Sequence, residues 1–128
     1  MVIPSELEAA GRVQRQVLQS LSRLGYGEAC AFAIRLAMEE ALCNAIKHGN
    51  GMNPRKQVKV QCDIDARQAV IIITDQGAGF EPAKVPDPTA DENLEKPSGR
   101  GIMLMRAYMD EVCFSDRGNQ VRMVKHNR

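Results

Sequence analysis

The apolar residues of this chain change their spacing near residue 57. Before it they recur every three to four positions, as in amphipathic helices, and Val13, Val17 and Leu21 form a clear run. From Gln57 they alternate with polar residues, which is typical of a half-buried strand. A chain of this kind is expected to pack helices on a sheet, since neither layer can bury its apolar side alone.

The first half of the chain predicts two helices. Ser5 and Glu8 have the spacing of a capping box, with Ser5 as the N-cap of a helix that Gly25 ends. Leu7 starts the apolar run of this helix. A second helix is expected from about Glu28 to Lys47. Its inward-facing residues are expected to be Phe32, Leu36, Leu42, Cys43 and Ile46.

The second half predicts four strands and one more helix. Residues 57–64 alternate, and residues 69–74 form a continuous β-branched run that suits an interior strand. A helix is expected to resume at Gly101, and short strands near 111–115 and 120–125 flank a hairpin turn. The 128 residues therefore predict one domain, 1–128, with an α/β fold: an α+β two-layer sandwich with one open sheet face.

The composition excludes several classes of function. The 17 basic and 16 acidic residues give a net charge of +1 without blocks, which argues against a nucleic-acid tail or a polybasic membrane anchor. Aromatic residues are only 4% of the chain, too few for base-stacking platforms. The charge and the scarce aromatic residues thus predict no direct nucleic-acid partner. The wholly apolar runs are only a few residues long and no signal peptide is expected at residues 1–6, so we expect no membrane association.

The four cysteines indicate a reducing compartment. No C-x-x-C pair occurs, which argues against a zinc site of the usual spacing. Each cysteine lies among apolar residues and is expected to be a buried, free thiol, although an even number would also permit disulfides. The expected location is the cytoplasm.

Three short segments carry the polar residues that suggest chemistry, and the first is on the second helix. Glu40, Asn44 and His48 are spaced four apart and would form one stripe, which Lys47 borders. A solvated helix face is the simplest explanation of such a stripe. A side-chain amide is, however, a poor helix former without a purpose.

The second segment follows the β-branched strand as Asp75-x-Gly77-x-Gly79-Phe80. Its glycines let a ligand approach the backbone closely, and an aspartate at a strand end can accept a hydrogen bond from an exocyclic amine such as that of adenine. Most matches to this pattern alone would be simple turns.

The third segment, 98–101, opens the last predicted helix as Ser-Gly-Arg-Gly. Unpaired N–H groups at a helix start can hold phosphate, and Arg100 and Lys96 could add charge-assisted hydrogen bonds. An ordinary glycine-rich helix start is the alternative. The preceding residues 81–98 contain four prolines and little apolar content, which is typical of a lid.

Taken together and in this order, the three segments resemble the GHKL ATPase superfamily, which has the Bergerat nucleotide-binding fold. Within it the chain is most similar to bacterial anti-sigma factor serine/threonine kinases of partner-switching systems. The resemblance extends from Ile3 to Val124. Its motifs are EALCNAIKHG at 40–49, DQGAGF at 75–80 and GRGIMLM at 99–105.

The resemblance implies a mixed, mostly antiparallel sheet with helices on one face, an ATP lid at 81–98, and ATP and Mg²⁺ as cofactors. Glu40 would be the general base, Asn44 the Mg²⁺ ligand and Asp75 the adenine ligand. The ATP-binding residues would be Asn44, Lys47, His48, Asp75, Gly77, Gly79, Phe80, Ser98, Gly99, Arg100, Gly101 and Ile102.

The family also implies partners: a sigma factor, an anti-anti-sigma protein of STAS type, and a second copy in a homodimer. Many relatives have a threonine in the last hairpin, where this chain has Gly118-Asn119-Gln120, and only residues 1–3 remain for the family's first edge strand. The alternatives are a histidine kinase catalytic domain, a nucleotide-dependent binding module without phosphotransfer, and a stand-alone ATPase related to gyrase or mismatch-repair proteins.

Overall fold

A computed structural model describes residues 1–77 and 99–127, with only the backbone of residues 99 and 100. The helices are α1 (Leu7–Arg23), α2 (Glu28–Cys43) and α3 (Gly99–Tyr108), and a π-helical segment, Asn44–Gly49, continues α2. The strands are β1 (Val2–Pro4), β2 (Gln57–Ile64), β3 (Gln68–Thr74), β4 (Glu111–Phe114) and β5 (Gln120–His126).

The strands form one sheet in the order β1-β2-β3-β5-β4, and every neighbouring pair is antiparallel. The β-branched run is the interior strand β3, paired with β2 on one side and β5 on the other, as predicted. The short edge strand is also present, because β1 pairs with Gln57–Lys59 of β2. The two-layer α+β sandwich is confirmed.

One face of the sheet carries the core. Along β3, Ala69, Ile71 and Ile73 are buried, while the alternate side chains are only half-buried. The helices cover the buried face, and the apolar faces of α1 and α2 contribute Leu21 and Ile34, both 0% exposed, to the same core. This arrangement leaves the loops at one end of the sheet free to form a site.

The predicted capping box at Ser5 is wrong. The N-cap of α1 is Glu6, which makes no side-chain cap hydrogen bond. Ser5 is instead 2% exposed, and its hydroxyl donates to the carbonyl of Lys56 at 2.7 Å. Ser5 lies in the connection between β1 and α1, one residue before the N-cap, and its buried hydroxyl is satisfied by this long-range partner. Leu7 consequently starts the helix 46% exposed rather than inward-facing.

The second helix differs from its prediction in two places. The α-helix ends at Cys43 rather than Lys47, and a π-helical segment continues to Gly49. Phe32 is 53% exposed, because it packs edge-to-face on Tyr108 of α3, with ring centroids 6.0 Å apart, instead of entering the core. α3 itself begins at Gly99, two residues before the predicted start.

Two cysteines predicted to be buried are exposed. All four are free thiols, but Cys62 and Cys113 lie on the surface. Cys62 borders an open groove of about 710 Å³ that α1 leaves uncovered beside β2. Cys113 is on β4, at the edge of the sheet. The predicted lid, 81–98, falls outside the described residues, and none of the helices within the described part is long and apolar enough to cross a membrane.

Candidate functional site

The predicted polar segments meet at one end of the sheet. The end of α2, its π-helical continuation, the end of β3 and the β4–β5 hairpin surround a small cavity of about 50 Å³. The polar residues and glycines that line it are Asn44, His48, Gly49, Asp75, Gly118, Asn119 and Gln120. Residues that are 26 or more positions apart in the sequence therefore share one site.

Glu40 and Asn44 lie together against the first turn of α3. A β-carbon added at Gly101 would come within 2.6 Å of Glu40 Oε2 and 3.8 Å of Asn44 Nδ2. Both side chains are half-buried, one helical turn apart on the same face. The glycine at 101 thus allows the helix start to approach an acid–amide pair.

The side-chain amide of Asn44 is an unsatisfied group. Its Nδ2 is buried and has no hydrogen-bond partner among the described residues. Buried amides are usually paired, so an unpaired one beside a carboxylate indicates a place where a ligand completes the contacts. The unpaired atom is a nitrogen donor and so calls for an acceptor such as a phosphate oxygen, whereas the oxygen of the same amide is the kind of atom that Mg²⁺ prefers and has the role that the family resemblance implies for Asn44.

The π-helical segment changes the geometry that four-residue spacing implies. Its hydrogen bonds run over five residues, as in the bond from the backbone N–H of Asn50 to the carbonyl of Ala45 at 2.8 Å. The wider turn still leaves His48 half-buried in the lining of the cavity, and it brings Gly49 against β3. Lys47 is exposed and does not line the cavity.

Asp75 is held in a defined position at the end of β3. Its Oδ1 accepts a hydrogen bond of 2.8 Å from the backbone N–H of Gly77, and its own N–H donates to the carbonyl of Asn119 at 2.9 Å. The side chain of Asn119 donates in turn to the carbonyl of Asp75 at 3.4 Å. These contacts connect the β3 end with the last hairpin and leave Oδ2 for a ligand in the cavity.

Burial changes the acidity of this carboxylate. Asp75 is only 9% exposed, and desolvation raises its pKa above the usual value. The hydrogen bond from Gly77 and the charges of Lys56 and Arg117 oppose the rise without cancelling it. A buried carboxylate in a cavity with few polar partners is a common feature of ligand sites.

Two glycines allow the backbone to close around Asp75. A β-carbon at Gly49 would overlap the Asp75 carboxylate, and one at Gly77 would overlap the carbonyl oxygen of Gly49. The first clash could be relieved only by moving the Asp75 carboxylate out of its position, and the second involves backbone, which no side-chain movement relieves. The loop after β3 and the end of the π-helical segment can pack this closely only because both positions lack a side chain.

The remaining predicted residues lie in the first turn of α3 or outside the described part of the chain. Ile102 is 6% exposed and belongs to the hydrophobic core, while Gly99 and Arg100 form the first residues of α3. Gly79, Phe80 and Ser98 fall outside the described residues. Gly49, Asn50 and Asn119 are not among the predicted site residues, although the run His-Gly-Asn-Gly at 48–51 predicts a helix end there.

Comparisons with known proteins show the family of this chain. Residues 3–125 match the family described as the histidine kinase-like ATPase domain. The chain is 30% identical to the serine-protein kinase RsbW of Bacillus velezensis, with 98% of this chain and 83% of the relative aligned. It is 38% identical to the anti-sigma F factor of Clostridium novyi, over 62% of this chain and 57% of that relative.

Two solved structures have a similar fold. The RsbU and RsbW domains of a Mycobacterium tuberculosis protein match with a TM-score of 0.61 and 16% identity, over 100% of this chain and 32% of that chain. The mycobacterial sensor histidine kinase MprB matches with a TM-score of 0.54 and 19% identity, over 100% and 97%. At these identities the likeness shows the fold alone.

Proposed function

We propose that this chain, which belongs to the histidine kinase-like ATPase domain family, binds ATP with the adenine at Asp75 and the phosphates between Asn44 and the start of α3. The observation that carries the proposal is the buried Asp75 carboxylate, which faces the same cavity as Asn44. Its free oxygen can accept a hydrogen bond from the adenine amine, and the backbone N–H groups at the start of α3 can donate to phosphate.

Magnesium completes the proposed site at Asn44. When bound, Mg²⁺ neutralises phosphate charge and orients the γ-phosphoryl group for transfer. The Asn44 side-chain oxygen would be the Mg²⁺ ligand, and the unpaired Nδ2 beside it could donate to a phosphate oxygen; α2 packs against α3 at this position. Glu40, one turn earlier, lies on the same side of the helix and beside the start of α3, so its carboxylate could act on a group next to the phosphates.

The proposed role of Glu40 is that of a general base acting on a protein hydroxyl. A carboxylate beside the phosphates can remove the proton of a serine or threonine hydroxyl as its oxygen attacks the γ-phosphate. Relatives named serine-protein kinase RsbW and anti-sigma F factor support this reaction and its setting. The proposed role is therefore an anti-sigma factor that also phosphorylates an anti-anti-sigma protein of STAS type.

Calorimetric titration with ADP and ATP, with and without Mg²⁺, tests the nucleotide site directly. We expect magnesium-dependent binding to the wild type and none to Asp75→Asn, because the amide presents a donor in place of an acceptor. Equal binding by both proteins would remove Asp75 from the site. No binding by the wild type would overturn the proposal that the chain is a nucleotide-dependent enzyme.

A further inference from the structure

The side chain of Asn50 joins four separate segments of the chain. It is 2% exposed and follows directly on the π-helical segment. Its Oδ1 accepts a hydrogen bond of 2.8 Å from the backbone N–H of Gln76, the residue after Asp75. Its Nδ2 donates to Ser5 Oγ at 2.9 Å and to the carbonyl of Gln57 at 3.0 Å.

These partners define which way the amide of Asn50 points. Ser5 donates its own hydroxyl proton to the carbonyl of Lys56, so its oxygen is an acceptor toward Asn50. The carbonyl of Gln57 is also an acceptor, and the N–H of Gln76 is a donor. A flipped amide would place oxygen against acceptors and nitrogen against a donor, so only one orientation satisfies all three contacts.

Both the backbone and the side chain of Gln76 make hydrogen bonds in this arrangement. Its backbone N–H is bound by Asn50, and its side-chain Oε1 accepts from the backbone N–H of Gln57 at 2.7 Å. The residue lies between Asp75 and Gly77, whose N–H binds the Asp75 carboxylate. The direction of the carboxylate therefore depends on a peptide that Asn50 anchors.

We infer that Asn50 is a positioning residue for the base of the nucleotide: it aims Asp75 at the exocyclic amine of adenine by fixing the 75–76 peptide. The inference rests on the proposed nucleotide function. Ser5, in the connection between β1 and α1, also contributes to the selectivity for the base, because its oxygen accepts a hydrogen bond from the amide nitrogen of Asn50. Asn50 does not contact the nucleotide and acts only through the loop after β3.

The test compares binding of ADP with binding of inosine diphosphate, which has an oxygen in place of the amine. Calorimetry is performed on the wild type, Asn50→Ala and a core control, Ile34→Val. Ile34 is 0% exposed and lies ten residues before Asn44, about 15 Å along the helix. The control reports what a loss of stability alone does to binding.

We expect the wild type to prefer ADP over inosine diphosphate by at least about tenfold, a difference that one good hydrogen bond can produce. Asn50→Ala should bind ADP at least about tenfold more weakly and inosine diphosphate within about threefold of the wild type, so that the preference disappears. Ile34→Val should keep it. An unchanged preference in Asn50→Ala, or an equal loss for both nucleotides, overturns the inference while the nucleotide site stands.

A wild type that binds neither nucleotide overturns the proposed function and the inference together. Should Asn50→Ala not fold, Ser5→Ala is the milder variant, since it removes one of the two acceptors of the amide nitrogen. It should lower the preference for ADP by about two- to fivefold and speed hydrogen exchange at the Gln76 amide in NMR spectra. Wild-type values for both measurements in Ser5→Ala would also overturn the inference.

Discussion

The carbonyl oxygen of Gly49 lies directly against the α-carbon of Gly77, so that a β-carbon at position 77 would overlap it. This backbone contact joins the end of the π-helical segment to the loop after β3. It also places Gly49 beside the Asp75 carboxylate. The two segments can approach this closely only because position 77 has no side chain.

Gly77→Ala should disrupt this contact. Because the obstacle is backbone, the loop has to move, and we expect a loss of about 1 to 3 kcal/mol in the free energy of unfolding together with loss of ADP binding. Gly11→Ala is the matched control: it lies in α1, where a β-carbon would be 3.6 Å from its nearest neighbour. That variant should gain about 0.5 to 1 kcal/mol. Denaturant unfolding and calorimetry measure both, and normal ADP binding by Gly77→Ala would contradict the proposed geometry.

Glu40→Gln should separate catalysis from binding. Removal of a general base lowers phosphotransfer by about 10²- to 10⁴-fold, whereas ADP affinity should stay within a few fold because the carboxylate does not hold the nucleotide. Glu39→Gln, at the exposed neighbouring position, is the control and should transfer phosphate normally. The assay follows labelled phosphate from ATP to a STAS-type protein. Full activity of Glu40→Gln would assign the base elsewhere, and an inactive wild type that binds ATP would favour a binding module without phosphotransfer.

Asn44→Ala should abolish the effect of magnesium. We expect the variant to bind ADP equally weakly with Mg²⁺ and with a chelator, since the oxygen ligand is gone. Its unfolding free energy should change little, because Nδ2 has no partner among the described residues. Calorimetric titrations measure the ADP affinity of the variant in the two buffers. An affinity that still depends on magnesium would show that Asn44 is not the metal ligand.

Asp75→Asn should stabilise the nucleotide-free protein at neutral pH. Burial raises the pKa of Asp75 in the folded state, so the folded protein holds the proton more tightly than the unfolded chain does. The associated stability is fully present below the usual pKa of 3.8 and is lost as the pH rises through the raised pKa. Asparagine does not ionise, so the variant escapes this loss.

The gain should be present at pH 7 and should disappear below about pH 3.8, where the carboxyl group is protonated in both states. Unfolding curves of the wild type and the variant across this range measure the difference directly, since effects of the other carboxylates cancel. A variant that is less stable than the wild type at pH 7 would show that the charged Asp75 is stabilised by its contacts more than burial opposes it.

Local patterns predicted the elements well because they depend on spacing alone. Alternation over 57–64 and the β-branched run at 69–74 predicted adjacent strands, and both lie in the sheet where expected. The acid and amide at positions 40 and 44 needed only helical geometry to share a face. The family resemblance implied that Gly101 belongs to the same site, and the structure places it beside both residues where α3 packs on α2.

Long-range partners could not be predicted in this way. The spacing of Ser5 and Glu8 indicated a capping box, but the Ser5 hydroxyl binds a carbonyl 51 positions away. Phe32 has the spacing of a core residue, yet it packs on Tyr108 at the surface. In both cases the competing partner comes from a part of the chain that local spacing does not describe.

The sequence by itself determined the two layers, the interior strand and the position of Asp75 before a glycine-containing loop. Periodicity and backbone freedom are properties of neighbouring residues and can be read from them directly. Only the tertiary structure decided that Asn50 would anchor the loop beside that acid. Its amide orientation is set by contacts with positions 5, 57 and 76 at once, and a hydrogen bond is specified only when both partners have been brought together in space.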